Sequence, residues 1–431
     1  MSRRVIETLR RHGHKAYWVG GCVRDRILDR PIKDRDVATS ARPREIAAIF
    51  PRTRRLGERF GVVSVRDGDE LAEVATFRRD WGYSDGRHPD RVTFTSSERE
   101  DVQRRDFTIN GLLQGPRKGQ PIDHVGGMDD LRRKLVRAIG DPERRFREDR
   151  LRMLRAVRLA ASLGFEIEDG TGAAIRKLAP LITAVAAERV QEELGRILTE
   201  GGAGRGFELL DETALLERLL PEISALKGVP QPPEFHPEGD VWEHTLIMLR
   251  HLREPSRPLA WGVLLHDVGK PGTFAVTDRI RFHGHVKRGV EISAAICARL
   301  RFSKADTARV LALVAGHMRF MDLRRMRPVT ARRFLEQAHF EDHLELHRLD
   351  CLASHGSLEL HALAAERHRR LAREAPREPL LNGNDLKSEG YVPGPRFGEI
   401  LSAVEERQID GRLASRDDAV RFVRSRYPLP K

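Results

Sequence analysis

The chain is 431 residues long, more than one ordinary hydrophobic core holds, so two to four domains are expected. Hydrophobic residues make up 40% of the chain and charged residues 33%. No apolar run approaches the roughly 18 residues that a membrane-spanning helix needs, so no such segment is expected. The net charge of +13 suits a polyanionic partner such as nucleic acid, although solvated, Arg-rich helix faces give the same balance.

The cysteine pattern and the first residues of the sequence bear on the compartment. Cys22, Cys297 and Cys351 are far apart and odd in number, which indicates reduced thiols and no zinc site. Residues 1–7 lack the apolar core of a signal peptide. Together these features predict a cytoplasmic protein.

The first candidate site follows a predicted helix over residues 3–12. An apolar segment at residues 16–19 runs into Gly20-Gly21, then into a helical pattern, and then reaches Asp34 and Asp36. Side chains two apart on a strand share a face, so the aspartates can converge on one cation. The glycines let backbone N–H groups approach a phosphate at a helix N-terminus. Each motif alone is usually a turn or a solvated loop, but their order and spacing favour a site for a metal-bound triphosphate.

Two strands are predicted next, over residues 61–65 and 71–77, joined by a turn at residues 67–69. Glu73 lies in the middle of the second strand. A glutamate inside a half-buried strand costs free energy unless it is paired or binds a cation. It is therefore either a third carboxylate of the metal site or a solvent-facing edge residue.

Residues 78–91 are rich in charge and turn formers, which predicts a long, mobile loop of the kind that is often functional. Beyond it, Arg105, Asp106 and Asn110 could hold the phosphate and ribose of a nucleotide. Local ion pairing on a helix is the alternative.

A strong helix is predicted from Glu148 through Arg158. Arg152, Arg155 and Arg158 recur every three residues and so lie close to one face. Asp149 lies one turn before Arg152, and an aspartate paired with an arginine offers an acceptor and a donor fork to a base edge. Surface salt bridges are the usual meaning of such pairs, but a row of arginines beside a nucleotide site favours phosphate and base contacts.

These motifs, in this order, resemble the class II tRNA nucleotidyltransferases (the CCA-adding enzymes) and the related bacterial poly(A) polymerases. The matching segments are residues 20–25, 34–36, 73–78, 104–110 and 148–152. Gly111 is a small departure, because the family commonly has alanine there.

The resemblance implies an α+β fold, in which a head of the polymerase β superfamily precedes an all-α neck, body and tail. It implies that Asp34 and Asp36 bind Mg²⁺ with Glu73 as the third carboxylate, and that a metal-bound triphosphate lies at the glycines. The partners would be tRNA, CTP and ATP, and the oligomeric state stays open. The nucleotide-binding residues it implies are Gly20, Gly21, Arg24, Arg105, Asp106, Asn110, Asp149, Arg152, Arg155 and Arg158, with Asp149 and Arg152 reading the base in place of a template.

The type of activity within the family depends on the loop and on one further position. The loop at residues 83–90 is complete, whereas CC-adding members have it shortened, so A addition is expected. CCA-adding and A-adding activities both remain open. Glu58 stands where the poly(A) polymerases carry a basic residue, which makes poly(A) synthesis the weaker alternative.

The second half of the chain carries a cluster of histidines and aspartates. Imidazole with carboxylate suits a divalent metal, and the sequence here resembles the HD-domain phosphohydrolases. The ligands expected are His244, His266, Asp267 and Asp350, while His285 and His317 are weaker candidates that could lie behind the ligands. The domain is either an active, metal-dependent phosphohydrolase or a structural extension with an idle metal site.

The predicted domains are a nucleotidyltransferase head (1–140), a helical neck that binds RNA and nucleotide (141–228), an HD-type domain (229–375) and a helical tail (376–431). Glycine-rich and proline-rich stretches at residues 201–204 and 230–233 support the boundary between neck and HD domain. The role of the tail is not predicted by its sequence.

Overall fold

A computed structural model describes residues 3–32, 35–57, 60–67, 70–116, 119–234, 236–374 and 378–429. Asp34 and Glu58, on which two of the sequence predictions rest, lie outside these ranges. Among the described residues, no helix combines the length and the apolar character needed to cross a membrane. The three cysteines are free and buried.

The head is a mixed sheet with helices on its faces. Its elements are α1 (Arg3–Arg11), β1 (Ala16–Val19), α2 (Gly21–Ile27), β2 (Val37–Thr39), α3 (Pro43–Ile49), β3 (Thr53–Gly57), β4 (Val62–Asp67), β5 (Glu70–Thr76), β6 (Arg78–Trp81), β7 (Arg91–Phe94), α4 (Glu98–Gln103), β8 (Leu113–Gln114), α5 (Gly127–Arg132) and β9 (Leu135–Val136). The six-stranded sheet has the order β3-β4-β5-β2-β1-β8, and β2 and β5 are its parallel pair. The predicted opening helix and the hairpin of β4 and β5 are confirmed.

The apolar pattern explains why α1 lies on this sheet. Val5, Ile6 and Leu9 recur on one stripe of the helix and are buried. They share a core with Val37 of β2 and Val74 of β5, so this helix covers the strands that carry the candidate carboxylates.

The segment predicted as a loop over residues 78–91 is partly a strand pair. Arg78–Trp81 and Arg91–Phe94 form an antiparallel two-stranded sheet, β6 and β7, which leaves only residues 82–90 as the loop. Alternating exposed and half-buried residues allow these polar strands to pair at the protein surface.

The rest of the chain is almost entirely helical. The neck contains α6 (Pro142–Glu148), α7 (Arg152–Leu163), β10 (Glu166–Ile167), α8 (Asp169–Leu178), α9 (Ala187–Thr199), α10 (Ala203–Glu212), α11 (Leu215–Leu219) and α12 (Pro221–Ser224). The third region contains α13 (Val241–His251), α14 (Arg257–Leu265), β11 (Ala275–Val276), β12 (Ile280–Arg281), α15 (His285–Arg299), α16 (Lys304–Gly316), α17 (Pro328–Leu335), α18 (Phe340–Ala353) and α19 (Glu359–Arg373). The tail contains α20 (Gly383–Ser388), α21 (Pro395–Ile409) and α22 (Arg416–Arg426).

One buried apolar cluster extends from the head through the neck into the third region. It includes Val23 of α2, Leu154 of α7, Leu194 of α9, Trp261 of α14 and Leu346 of α18. The tail has a separate core around Leu386 and Ile400. The head cleft and the third region are therefore held together by continuous packing rather than by a loose linker.

The helix predicted over residues 148–158 is interrupted, and this prediction is corrected. Asp149 has extended backbone angles and follows α6, and its carboxylate accepts a hydrogen bond from the backbone N–H of Leu151 at 3.1 Å. A side chain that satisfies a backbone donor in this way ends one helix and starts the next. Asp149 thus lies at a corner between α6 and α7.

Candidate active site

The paired glycines lie at the turn from β1 into α2, as the sequence predicts. Gly20 has a φ of +79°, a conformation that favours glycine. A Cβ atom placed on Gly20 would lie 3.9 Å from both Arg105 Nη1 and Asp36 Oδ2. The glycine turn, the arginine and the aspartate therefore converge on one small region.

Asp36 and Glu73 reach the same region through the sheet. The parallel register pairs Val37 of β2 with Val74 of β5, so the residues one position earlier, Asp36 and Glu73, lie side by side. Glu73 is exposed, although its strand β5 lies inside the sheet between β4 and β2. Glu73 is therefore not on an edge strand as one alternative had it, and its role as the third carboxylate stays a prediction.

A cleft of about 400 Å³ opens between α2 and the neck helix α7. Residues from three of the predicted motifs line it together with basic and acidic side chains that the sequence analysis did not select. The predicted residues are Gly21, Arg24, Asp36, Asn110, Arg155 and Arg158, and the others include Asp25, Arg30, Arg196 and Glu200. Arg30 and Arg196 add positive charge that suits a triphosphate.

Hydrogen bonds join the head side of the cleft to the neck side. Arg24 Nη1 donates to Asn110 Oδ1 at 2.8 Å, Asn110 Nδ2 donates to Asp106 Oδ1 at 3.2 Å, and Arg155 Nη2 donates to Asp106 Oδ2 at 2.6 Å. Burial alone would raise the pKa of Asp106, but the guanidinium groups of Arg155 and Arg152 lower it further than burial raises it. Asp106 is therefore an anion that fixes Arg155 at the cleft.

Arg105 is held by a carboxylate that the sequence analysis missed. Its Nη2 donates to Asp101 Oδ2 at 2.9 Å, and Arg104 Nη2 donates to Asp101 Oδ1 at 2.6 Å. Asp101 is buried, which would raise its pKa, but the two arginines lower it. The spacing of Asp101 from the two arginines, three and four residues, is a helix pairing signal that could have identified it.

The predicted pair of Asp149 with Arg152 is not formed in this structure. Arg189 of α9 donates to both carboxylate oxygens of Asp149 at 3.2 and 3.0 Å, whereas Arg152 Nη1 donates to Glu148 Oε2 at 3.0 Å. Asp149 lies outside both helices, with extended backbone angles, so the spacing rule for one continuous helix does not apply to it and Arg152. The spacing of four residues between Glu148 and Arg152 is a helix pairing signal, whereas Arg189, 40 residues after Asp149, could not be selected from local spacing.

Arg158 is the most buried arginine of the predicted row. Its Nε donates to Glu193 Oε2 at 2.7 Å and its Nη1 to Glu200 Oε2 at 3.0 Å. Arg155 shares the cleft lining but faces Asp106 instead. The three arginines therefore have separate carboxylate partners, so they do not form one uniform phosphate-binding row.

The loop at residues 82–90 packs on the corner between α6 and α7. A Cβ atom on Gly86 would lie 2.7 Å from Arg150 Cζ, and Gly86 has a φ of +66°. Tyr83 donates to Asp80 Oδ2 at 3.0 Å, and burial raises the pKa of Tyr83 to about 12. A complete loop thus contacts the segment that carries Asp149.

The second candidate centre lies in the third region. His244 is on α13, His266 and Asp267 follow the last turn of α14, and Asp350 is on α18. His244 Nε2 lies 3.2 Å from Asp350 Oδ1, and His266 Nε2 lies 3.1 Å from Asp267 Oδ2. Metal-ligating atoms of His244, His266 and Asp350 all lie within 4.8 Å of one another. The four predicted ligands therefore meet.

The two weaker candidates, His285 and His317, lie beside Asp267. Each Nε2 lies 3.8 Å from Asp267 Oδ1, and the two Nε2 atoms are 3.3 Å apart. Burial lowers the pKa of His317 to about 4. Ligating atoms of Asp267, His285 and His317 all lie within 4.8 Å of one another, so both histidines lie within reach of the centre.

A metal fits this centre because buried imidazole nitrogens and carboxylate oxygens, a donor set that suits a divalent metal, meet in it. The Nε2 atoms of His244 and His266 are buried, and each faces a carboxylate, that of Asp350 and that of Asp267 respectively. Burial alone would lower the pKa of His244, but hydrogen bonds with Asp350 and Glu238 raise it to about 9. Sequence reasoning missed Glu238, because a glutamate six residues before His244 and outside its helix has no local pairing signal.

The geometry of the sheet, cleft and neck defines a nucleotidyltransferase of the polymerase β type. Residues 16–137 match the model of the poly(A) polymerase head domain, and residues 164–227 match the "Probable RNA and SrmB-binding site of polymerase A". Residues 240–373 match the HD domain. Both kinds of domain generally use divalent metals.

Sequence comparison with curated proteins identifies the family. A CCA-adding enzyme of Limosilactobacillus fermentum is 33% identical over 414 residues, which cover 96% of this chain and 93% of that enzyme. The chain belongs to the CCA-adding enzyme family. A CCA-adding enzyme of Anoxybacillus flavithermus is 45% identical over 223 residues, and this alignment spans 52% of the chain and 56% of that enzyme.

A solved structure agrees with this assignment. The crystal structure of the Bacillus stearothermophilus CCA-adding enzyme in complex with CTP superposes with a TM-score of 0.74 at 30% sequence identity. The match covers 99% of this chain and 96% of that one. The predicted α+β fold with a helical remainder is thereby confirmed.

Proposed function

We propose that this protein adds C and A nucleotides, without a nucleic-acid template, to the 3′ end of tRNA, with CTP and ATP as substrates. One observation carries the proposal, which is the cleft that unites Gly21, Arg24 and Asp36 of the head with Arg155 of the neck. Family membership supports it, and so does the structural relative that was solved with CTP. We also propose a cytoplasmic location, which this role supports.

The head residues are assigned to the triphosphate and to a metal. Asp36 and Glu73, together with Asp34, would hold a divalent cation, and Mg²⁺ is the ion we propose because carboxylate oxygens are its usual protein ligands. When bound there, such a cation would supply activation of the 3′-hydroxyl of the primer and neutralisation of charge on the leaving pyrophosphate. Asp36 and Glu73 fit this role because the parallel register places two carboxylates side by side.

The chain's own groups position the nucleotide. Arg24 is fixed by Asp25 at 2.7 Å and by Asn110 at 2.8 Å, so its guanidinium is oriented before any phosphate arrives. We assign Gly20 and Gly21 to close approach of the phosphates and Arg105 to a phosphate oxygen. Preorganised donors of this kind stabilise charge in the transition state without a reorganisation cost.

Base selection is assigned to the corner between α6 and α7. Asp149 and Arg152 are the proposed base readers, and each is held in this structure by another residue, Arg189 and Glu148 respectively. Reading a base would require these guanidinium and carboxylate groups to exchange partners. The loop at residues 82–90 contacts Arg150 in this corner, which supports A addition as well as C addition.

One experiment separates the three activities of the family. Three tRNA substrates are offered, one without the CCA end, one without only the final A and one complete, each with CTP alone, with ATP alone or with both. A CCA-adding enzyme extends the first with CTP and the second with ATP, and it leaves the complete tRNA unchanged. An A-adding enzyme extends only the second, and a poly(A) polymerase extends the complete tRNA with ATP. Either of these last patterns would refute the proposal.

A second activity is proposed for the HD domain, namely metal-dependent hydrolysis of a phosphate ester. The buried cluster of His244, His266 and Asp350, whose ligating atoms all lie within 4.8 Å of one another, favours it. The full-length chain is tested with a 2′,3′-cyclic nucleotide and Ni²⁺, Co²⁺, Mn²⁺ or Mg²⁺, because the shared core gives no reason to expect the HD domain to fold alone. Hydrolysis that His266→Ala abolishes supports the activity. No hydrolysis with any of the four metals refutes it.

A further inference from the structure

The segment between the neck and the HD domain crosses the metal centre. Residues 228–239 lie between the two matched regions, which end at residue 227 and begin at residue 240. Hydrogen bonds hold the two ends of the segment together. Asp240 Oδ2 accepts from the backbone N–H of Gly228 at 2.6 Å, and the backbone N–H of Val241 donates to the carbonyl oxygen of Val229 at 3.0 Å. We call the described residues 229–234 and 236–240 the strap.

The strap places a buried carboxylate against a metal ligand. The side chain of Glu238 is 7% exposed, and its Oε1 lies 2.6 Å from His244 Nδ1 and 2.9 Å from His236 Nδ1. A carboxylate anion can only accept, so both Nδ1 atoms carry the proton and donate. His244 Nε2 is then left to face Asp350.

The distances distinguish a positioning role from metal ligation. Two ligand atoms that each lie 2.1 Å from a tetrahedral ion are about 3.4 Å apart. His244 Nε2 and Asp350 Oδ1 are 3.2 Å apart, and His266 Nε2 and Asp267 Oδ2 are 3.1 Å apart, so these pairs approach the separation of ligands. The 2.6 Å between Glu238 and His244 is a short hydrogen bond instead.

The strap also reaches the other half of the centre. Lys270 Nζ donates to Gln231 Oε1 at 2.6 Å and lies 2.7 Å from Asp267 Oδ2. Gln231 and Lys270 are both buried. The strap therefore contacts the centre at two points, at His244 through Glu238 and at Asp267 through Lys270.

We propose that the strap orients the ligands of the HD metal centre, and that Glu238 is the positioning residue that holds His244 with its proton on Nδ1 and its Nε2 directed at the metal. The proposal rests on the metal centre assigned above. A ligating histidine usually donates its other N–H to a carboxylate or carbonyl, and loss of that partner typically lowers metal affinity about 10- to 100-fold. Glu238 is such a partner for His244.

The test measures Co²⁺ affinity of the full-length chain by titration calorimetry. His266→Ala removes a ligand of the HD centre and leaves the head intact. The difference in Co²⁺ binding between the wild type and His266→Ala is therefore the binding that belongs to the HD centre. We expect Glu238→Ala to weaken that signal about 10- to 100-fold. Glu238→Gln should weaken it less, because an amide oxygen still accepts from Nδ1–H. The matched control is Glu234→Ala, an exposed glutamate of the same strap, which should bind as the wild type does.

Protonation of the ring provides a second readout. Long-range ¹⁵N–¹H spectra of histidine-labelled protein should show His244 protonated at Nδ1 in the wild type, with this signal lost or shifted in Glu238→Ala. Incorporation of CTP should be unchanged in every variant, which verifies the fold.

Three results would overturn the proposal. Glu238→Ala with wild-type Co²⁺ affinity contradicts the role of Glu238, and so does equal weakening by the alanine and glutamine variants. If His266→Ala binds Co²⁺ as the wild type does, the HD metal centre itself is wrong, whereas CTP incorporation continues to test the nucleotidyltransferase independently.

Discussion

Arg158 offers the sharpest test of the cleft, because its contacts assign it a structural role in a place where the family resemblance implies phosphate binding. Its side chain is 7% exposed and that of Glu193 is 5% exposed. In Arg158→Met, Glu193 would remain buried without its main cationic partner, because Arg196 lies 3.9 Å away. Breaking a buried ion pair from one side costs about 3–5 kcal/mol, and we expect this loss in the free energy of unfolding.

The matched double variant removes both charges. Arg158→Met with Glu193→Met replaces the buried pair by apolar side chains of similar length, a change that is often neutral or stabilising. Glu200 keeps Arg196 as a partner at 2.8 Å. We therefore expect most of the lost stability to return. The control is Arg144→Met, whose side chain is 77% exposed and pairs with Glu148, and it should cost at most about 1 kcal/mol.

Urea denaturation measures stability, and CTP incorporation into tRNA lacking its CCA end measures activity. Two of the guanidinium nitrogens of Arg158 donate to glutamates, which is a structural role. If that role is its main one, activity should recover in the double variant together with stability. A double variant that is stable but slow would instead assign Arg158 to the phosphates. A double variant as unstable as the single one would refute the argument from the buried pair.

Three further predictions concern the head. Asp36→Ala should abolish CTP and ATP incorporation but leave tRNA binding in a gel-shift assay, and retained incorporation would contradict the metal assignment. Gly20→Ala should cost about 1–3 kcal/mol of unfolding free energy in urea, because the nearest atoms allow a Cβ at 3.9 Å but a φ of +79° strains an alanine. Burial raises the pKa of Asp106, but Arg155 and Arg152 lower it more, so its net pKa is below the ordinary value. Its stabilising contribution is then present above about pH 3.9 and is lost on further acidification, so Asp106→Asn should be less stable than the wild type at pH 7, with a gap that narrows in acid.

The elements that the sequence predicted correctly are those that depend on residues close together in the chain. The apolar stripe of Val5, Ile6 and Leu9 predicted α1 correctly. The two strand patterns on either side of residues 67–69 predicted the hairpin of β4 and β5 correctly. The positive φ of Gly20 is likewise a property of its own position. In these places the side-chain period or the backbone strain acts over a few residues, so the sequence is sufficient.

The features that the sequence did not predict depend on contacts between residues far apart in the chain. Helical periodicity runs unbroken through residues 148–158, yet Asp149 ends α6 because it caps the next turn and pairs with Arg189, which lies 40 residues further along the chain. The proximity of Asp36 to Glu73 depends on a strand register that no local pattern encodes. Glu238 was missed for the same reason, since only closure of the strap brings it to His244.

Helix α9 connects the two centres physically. Its Arg189 holds Asp149 and its Glu193 holds Arg158, so one side of the helix supports the nucleotide cleft. The helix also packs against α14, where Glu192 pairs with Arg257 at 2.6 Å, and α14 leads directly into His266. Packed interiors transmit displacement because they have few voids. A substitution that shifts α9 should therefore alter nucleotide addition and metal affinity together, whereas a substitution in the strap should alter metal affinity alone.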